Sequence, residues 1–500
     1  MFLIKRIFAK IFALIIVKQI ERSYKKAGKI QIKIFKDLIN IGKKTKFGKD
    51  HNFDRIHNVK DFTSNVPVRD YEGIKKYIEE IKQGSQDVLW PGLPKYLAKT
   101  SGTTSGAKSI PITKESMPHH IISSRNALLF YINKTGKTSF LRGKTIFLQG
   151  SPILKKINGI LTGRLSGIVA HHTPSYLKNN NLPSLKTNSI DDWEKKVEEI
   201  CKETINQDMT VIGGIPSWIQ MYFEKLLKKS NKKNITSLFK NFSLYIYGGV
   251  NFSPYKQIFK KLIGKKIDTI EYYPASEGFF AYQNSQTEKS LLLQFNSGMF
   301  FEFIKVDDFK KSSHKRYNLT NVEKDINYIL IVSSNAGLWA YNTGDTIKFV
   351  SISPPKIFVT GRYNHFISAF GEHVISEEVE QSIAEASRLN NINILEFTVS
   401  PMVNPKKGLP FHEWWVETEG GCLDLNKFSD DIDKNMQMKN IHYKDLIEGG
   451  ILKTLEIRLV KKGGFNDYMK SKGKLGGQNK VPKLSNSRDF VEGLKKYIKH

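Results

Sequence analysis

SLYIY (Ser243–Tyr247), followed at once by Gly248-Gly249, is the stretch from which the fold can be read. Its apolar and aromatic run reads as a buried strand, and the paired glycines end it in a tight turn. A helical segment over Ser253–Ile263 and a strand over Lys266–Tyr272 come next. Strand, glycine turn, helix, strand is the pattern of a crossover that brings the chain back parallel to itself, so a parallel sheet covered by helices is expected. The same pattern lies upstream. Lys144–Gln149 reads as a strand, Asp191–Ile205 as a helix, Met209–Ile212 as a strand ending in Gly213-Gly214, and Pro216–Lys229 as a helix.

Downstream, Phe300–Val306 and Ile326–Ser333 are β-rich and read as antiparallel. A second change of pattern comes near Gly361. Ser376–Arg388 is helical, Ile394–Val399 and His412–Glu417 are strands, Phe428–Asn435 is a helix and Thr454–Val460 a further strand. Before residue 90 helices dominate: a long amphipathic one over Lys18–Ile41, and Tyr71–Gln83 after the turn at Pro67. The expected class is α/β, with a large domain over 1–360, a hinge over 361–370 and a smaller α+β domain over 371–500.

Composition sets outer limits. The chain has 500 residues, 40% hydrophobic and 25% charged, which excludes a disordered tail, a collagen-like rod and a polytopic membrane protein. Cys201 and Cys422 are too few and too far apart for a disulfide framework or a zinc cluster, and suit a reducing compartment such as the cytoplasm. The net charge is 78 − 48 = +30, but the lysines are dispersed, with no Arg-rich tail or zinc-finger spacing. That favours a solvated basic surface over nucleic-acid binding. Met1–Val17 is basic and apolar, yet its longest uncharged run after Lys10, Ile11–Val17, falls far short of the about 20 residues that a spanning helix needs. Charged residues follow it where a cleaved leader would have small ones. Ile4, Phe8, Ile11 and Ile15 share one helical stripe, expected to dock on the chain's own domain; a membrane-surface helix is the alternative.

Five motifs carry chemistry. KTSGTTSGAK (Lys99–Lys108) sets Gly and hydroxyl residues after an apolar strand at Lys95–Lys99, a composition whose backbone N–H groups can cradle phosphate. It is not a Walker loop, because three residues rather than four separate its glycines and Ala107 precedes Lys108. YYPASEG (Tyr272–Gly278) sends an aromatic ring, a hydroxyl and a carboxylate off one strand end: Tyr to stack on a base, Ser276 for phosphate, Glu277 for a magnesium ion. Since neighbours alternate along a strand, one of Tyr272 and Tyr273 is expected in the core. WAYNTGD (Trp339–Asp345) ends in an Asp suited to accept both ribose hydroxyls, Gly361-Arg362 follows, and GGQNKVP (Gly476–Pro482) carries one late lysine, Lys480. Each also has a plainer reading, as linker, tight turn or surface lysine.

Taken in order, these motifs resemble the adenylate-forming enzymes. The Ser-Gly-Thr-Thr-Ser-Gly loop, Tyr273-x-x-Ser276-Glu277 and Gly477-Gln478-x-Lys480-x-Pro482 are similar to those of the Gretchen Hagen auxin-responsive family of acyl acid amido synthetases. Asp61-Phe62, Val66-Pro67-Val68, Asp70-Tyr71-Glu72 and Val88-Leu89-Trp90-Pro91 fit the same family, and the resemblance runs from about Phe47 to Lys483. It implies a large adenylate-forming domain with a smaller mobile C-terminal lid. It also implies a ligase using ATP and Mg2+ to adenylate a carboxylic acid and pass the acyl group to an amine, commonly an amino acid. By position, Ser101, Gly102, Thr103, Thr104 and Ser105 would cradle phosphate, and Gly248 and Gly249 would lie along adenine. Tyr273 would stack on the base, Ser276 would serve phosphate, Glu277 magnesium and Asp345 ribose. Arg362 would assist at the hinge, and Lys480 would offset phosphate charge. Asn342 departs from the Arg that plant members often carry there. An acyl-CoA ligase and a non-catalytic basic protein at a membrane surface are the competing readings.

Overall fold

The structure, a computed structural model, describes residues 2–100, 108–172, 180–190, 192–249, 252, 255–309, 314–363, 366–367, 369–370, 372, 374–419, 424–448, 450–475 and 480–499. It forms two compact units. One comprises Met1–Gly214, Phe239–Gly249 and Ile267–Val359; the other comprises Ile215–Leu238, Val250–Lys266 and Thr360–His500.

A twelve-stranded sheet organises the first unit. Its parallel half runs, in spatial order, through Asn181–Leu182, Lys144–Phe147, Met209–Gly213, Leu244–Gly248 and Asp268–Pro274. The two strands read from their glycine pairs, Met209–Gly213 and Leu244–Gly248, lie side by side within it. The antiparallel half continues through Phe279–Gln283, Leu291–Leu293, Pro355–Arg362, Tyr341–Ile352, Asn327–Ser334, Met299–Lys305 and Tyr317–Asn318. Met299–Lys305 and Asn327–Ser334 pair antiparallel as expected. A four-stranded sheet stands apart, in the order Lys108–Ile112, Tyr96–Thr100, Ile160–Arg164, Lys155–Ile157. Thr100 pairs with Lys108, so the two ends of the Ser/Gly stretch are held side by side.

Two expectations need correction. The long helix over Lys18–Ile41 is instead Phe2–Ser23 and Ala27–Gly42, separated by a tighter turn at Tyr24–Lys26. At the break the Ser23 hydroxyl donates to the Ile20 carbonyl (2.6 Å), a local bond that competes with the helical ladder. After it, Gln31 is fully buried. Its amide donates to the Phe295 and Met299 carbonyls and accepts from the Phe301 N–H, all at 2.8 Å, fixing the second helix to the sheet. The first helix does pack on its own unit, against the helix Met117–Thr135, but through Ala13 and Val17. The stripe Ile4, Phe8, Ile11, Ile15 is exposed. Small side chains let two helices approach closely, and the larger residues are left on the outer face.

The second unit has a three-stranded sheet, Ile394–Met402, Phe411–Thr418 and Glu456–Val460, the first pair antiparallel and the second parallel. Adjacent tryptophans face opposite ways along the middle strand. Trp414 joins a core with Ile383, Phe397, Phe428 and Ile432, under the helices Ser376–Leu389 and Leu425–Lys439. Trp415 joins a second core with Phe465, Tyr468, Val491 and Leu494. The Lys- and Gly-rich end of the chain thus covers one face of this sheet.

Glu417, on that middle strand, is buried and accepts from the Gly463 N–H (2.7 Å) and the Phe465 N–H (3.3 Å). Burial, followed by the nearby charges of Glu396 and Asp467, outweighs those bonds and pushes its pKa up to about 7 from 4.5. Because the folded value is the higher one, the stabilisation is complete below about pH 4.5 and is lost as pH rises through 7. Urea unfolding should therefore show a loss between pH 5 and pH 8 that Glu417→Gln reduces by about 1–3 kcal/mol. Equal slopes in both proteins would show that Glu417 does not titrate in this range.

Candidate functional site

The strand Leu244–Gly248 lies parallel to Asp268–Pro274 with Gly248 opposite Tyr272. A Cβ on Gly248 would meet the Tyr272 carbonyl oxygen at 2.4 Å, and Gly249 turns at φ +81°. Both positions demand glycine on backbone grounds alone.

The next two side chains point opposite ways, yet both are buried, which corrects the expectation that only one would be. Tyr272 donates to the Ser124 carbonyl (3.0 Å), and its ring meets Phe279 edge-on. Tyr273 packs edge-on against Phe280 and donates its hydroxyl to Asp345 Oδ2 at 2.6 Å. Asp345 reaches that position because of the turn before it. Gly344 has φ +80° and donates its N–H to Asn342 Oδ1 (2.8 Å); Thr343 Oγ1 donates to the Leu330 carbonyl (2.9 Å) and accepts from the Asp345 N–H (3.2 Å). Asn342 thus holds the turn that aims Asp345.

Beyond Pro274 a tight turn, closed by Ala275 N–H to the Gly278 carbonyl (2.9 Å), presents Ser276 and Glu277. Both line a narrow cleft. Pro111 and Ile112, from the strand that leaves the Ser/Gly stretch, line it too, with His119 and His120. The cleft is tied across by Thr113 Oγ1, which donates to the Asn335 carbonyl (2.7 Å). Burial lowers the pKa of both histidines, His120 to about 4 with His119 adding to the effect, so both are neutral near pH 7. The histidines were missed from sequence. A His-His pair on a helix carries no spacing signal until the fold brings it opposite Glu277.

Among the described residues no group of three or more His, Cys, Asp or Glu could hold a metal ion by itself. A carboxylate on a cleft wall has the donor chemistry that a hard cation takes when it shares its remaining positions with phosphate oxygens and water, so Glu277 is compatible with magnesium carried in with a nucleotide.

The structure gathers Gly248, Gly249, Tyr273, Ser276, Glu277 and Asp345 into the first unit. Ser101, Gly102, Thr103, Thr104 and Ser105 lie outside the described residues. Arg362 and Lys480 belong to the second unit and are exposed. Three residues after Lys480 comes a side chain that sequence reading passed over. Lys483 is buried over the Phe397 ring (4.7 Å), ion-paired with Glu396 and 3.4 Å from the Tyr255 hydroxyl. Its carbonyl accepts from the Val399 N–H (2.9 Å), and the Ser485 N–H donates to the Val399 carbonyl (3.0 Å), so this segment lies alongside the strand Ile394–Met402. Burial pulls the Lys483 pKa down, but Glu396 and Tyr255 more than offset it and hold it above the usual lysine range.

Residues 16–267 match the GH3 family N-terminal domain, 292–362 the GH3 family central domain and 377–489 the GH3 family C-terminal domain. The chain is 22% identical over 546 aligned positions to jasmonoyl--L-amino acid synthetase JAR6 of Nicotiana attenuata, covering 94% of this chain and 93% of that protein. It is 24% identical over 250 residues to indole-3-acetic acid-amido synthetase GH3.8 of Oryza sativa subsp. indica, covering 44% of this chain but only 40% of that protein's length. Among solved structures, GH3.15 acyl acid amido synthetase matches with a TM-score of 0.77 at 15% identity, covering 95% of this chain and 94% of that one. A 2-hydroxyisobutyryl-CoA ligase in its postadenylation state matches at 0.59 and 11% identity, covering 94% and 90%. The fold is that of adenylate-forming enzymes, a large domain followed by a smaller one. With all three family domains matched in order along most of its length, the chain belongs to the GH3 family.

Proposed function

We propose that this protein is an ATP-dependent acid–amine ligase. It joins a carboxylic acid to AMP and then transfers the acyl group to an amine, with an amino acid as the expected acceptor. The observation that carries this reading is the ordered match to all three domains of a family whose relatives above are named amido synthetases. The grouping of Tyr273, Ser276, Glu277 and Asp345 in one unit supports it.

In the first half-reaction a carboxylate oxygen attacks the α-phosphorus and pyrophosphate leaves. In the second, the amine attacks the acyl carbonyl, sheds a proton, and AMP leaves. Asp345, aimed by its turn and by the Tyr273 hydroxyl, accepts hydrogen bonds from the ribose hydroxyls. Tyr273 offers its ring to the base, and Gly248-Gly249 lets the base approach the backbone. Ser276 and the Ser101–Ser105 stretch bind phosphate. Magnesium held at Glu277 supplies positive charge against the triphosphate. The neutral His119 and His120 add no positive charge to the cleft that Glu277 lines. Arg362 and Lys480 add positive charge from the second unit, which acts as a lid turning on a hinge within 361–370. The two well-separated cysteines, Cys201 and Cys422, favour a reducing compartment such as the cytoplasm for the reaction.

ATP-dependent pyrophosphate release across a panel of carboxylic acids tests the reading, and no release with any acid would refute it. Within that assay the wild type should discriminate against 2′,3′-dideoxy-ATP. Asp345→Ala should raise KM for ATP about ten- to hundredfold, the loss of charge-assisted hydrogen bonds, and abolish the discrimination. If the discrimination survives in Asp345→Ala, the ribose assignment is wrong.

A further inference from the structure

The first helix, Phe2–Ser23, is apolar on two opposite faces, and the unit uses one of them. Ala13 and Val17 are buried, and Ala9, Ile16 and Ile20 pack beside them. Arg6 Nε donates to Thr138 Oγ1 (3.0 Å) near one end, and Glu21 pairs with Lys134 (2.7 Å) near the other, so the helix is fixed in rotation. The face turned away from the unit carries Ile4, Ile7, Phe8, Ile11, Leu14 and Ile15, each 52% to 71% exposed. They recur every three or four residues and so form one continuous stripe over several turns. Single exposed apolar residues are ordinary on a soluble protein, but six in a row on one helix face are not.

The charges around the stripe decide what covers it. From Phe2 to Ile20 the charged residues are Lys5, Arg6, Lys10 and Lys18, and no acidic residue precedes Glu21. Arg6 is engaged with Thr138, whereas Lys5, Lys10 and Lys18 are exposed. Lysine stems can lie along apolar surface while their ammonium groups reach for anions. A second copy of the chain laid on this face would set lysines against lysines with no acid to pair them, on molecules that each carry +30. An anionic bilayer reverses that balance: acyl chains take up the stripe and headgroups neutralise the lysines.

We propose that the outer face of Phe2–Ser23 docks this enzyme on an anionic lipid bilayer, the helix lying in the headgroup region parallel to the membrane plane. It does not cross the bilayer, since it is too charged and too short in its uncharged run. The proposal does not depend on which acid or amine the ligase uses.

Flotation of the full chain with lipid vesicles tests it. The protein should float with vesicles of phosphatidylcholine plus phosphatidylglycerol. Binding should fall about tenfold or more on phosphatidylcholine alone or in high salt. A triple variant, Phe8→Glu with Ile11→Glu and Ile15→Glu, should lose vesicle binding with its circular dichroism and pyrophosphate release unchanged, because all three side chains already face solvent. A second variant, Lys5→Gln with Lys10→Gln and Lys18→Gln, keeps the apolar stripe and should also bind at least about tenfold more weakly. The proposal is overturned if the wild type floats with neither vesicle or equally with both. It is also overturned if either variant binds like the wild type, or if the wild type is a dimer that the triple glutamate variant converts to a monomer.

Discussion

Lys480→Ala is expected to slow acyl-adenylate formation by about 10²–10³-fold while leaving aminolysis of a supplied acyl-adenylate within a few-fold of wild type. The asymmetry follows from charge. Adenylation builds and expels pyrophosphate, so a fixed cation stabilises its transition state, whereas attack of an amine on the acyl carbonyl creates no comparable phosphate charge. Lys480 is exposed, as a side chain that meets a substrate must be, and it stands three residues from a segment bonded to Val399 through both Lys483 and Ser485. Lys480 thereby stands close to an anchored backbone. Rapid-quench measurement of the two half-reactions separates the outcomes. Equal loss in both would mean that Lys480 serves the structure rather than the phosphate.

Removing one partner of the Lys483–Glu396 pair should cost about 3–5 kcal/mol of stability, because the remaining charge is buried without an opposite. Glu396→Leu leaves the Lys483 ammonium buried over the Phe397 ring without its direct ion-pair partner, beside the Tyr255 hydroxyl and in the field of the Glu380 charge. Lys483→Met alone leaves a carboxylate under the same conditions. The double variant replaces both charges with apolar groups and should recover most of the loss, since a well-packed apolar pair is commonly as stable as a buried ion pair. Urea unfolding of the two single variants and the double variant forms the cycle, and additive losses would show that the pair is not coupled. The double variant should also retain adenylation if the backbone bonds to Val399 alone position Lys480.

Two of the parallel strands, Met209–Gly213 and Leu244–Gly248, were legible because each carries its own punctuation, an apolar run, then Gly213-Gly214 or Gly248-Gly249, then a helix, whereas the two-residue strand Asn181–Leu182 carries none. What lay hidden was decided by partners distant in sequence. The helix Met117–Thr135 buries Ser123, Asn126 and His120 among its apolar residues, which blurs its periodicity. The docking face of the first helix is not legible from the size of its apolar side chains, because Ala13 and Val17 allow a closer approach than the stripe with the largest ones. In the site, Tyr273, Ser276, Glu277 and Asp345 could be singled out from short motifs, since strand ends and glycine turns are local. That the Tyr273 hydroxyl bonds Asp345, seventy-two residues away, needs the sheet. Lys483 was invisible for the same reason. Nothing beside it in sequence indicates burial, and Glu396 is eighty-seven residues off.

The central claim is that the activated acyl group ends on an amine. Mass spectrometry of the products formed from ATP, a carboxylic acid and a mixture of amino acids and coenzyme A tests it in one tube. The account predicts an acyl amide together with AMP and pyrophosphate. An acyl thioester in place of the amide, or ATP left intact with every acid, would contradict it.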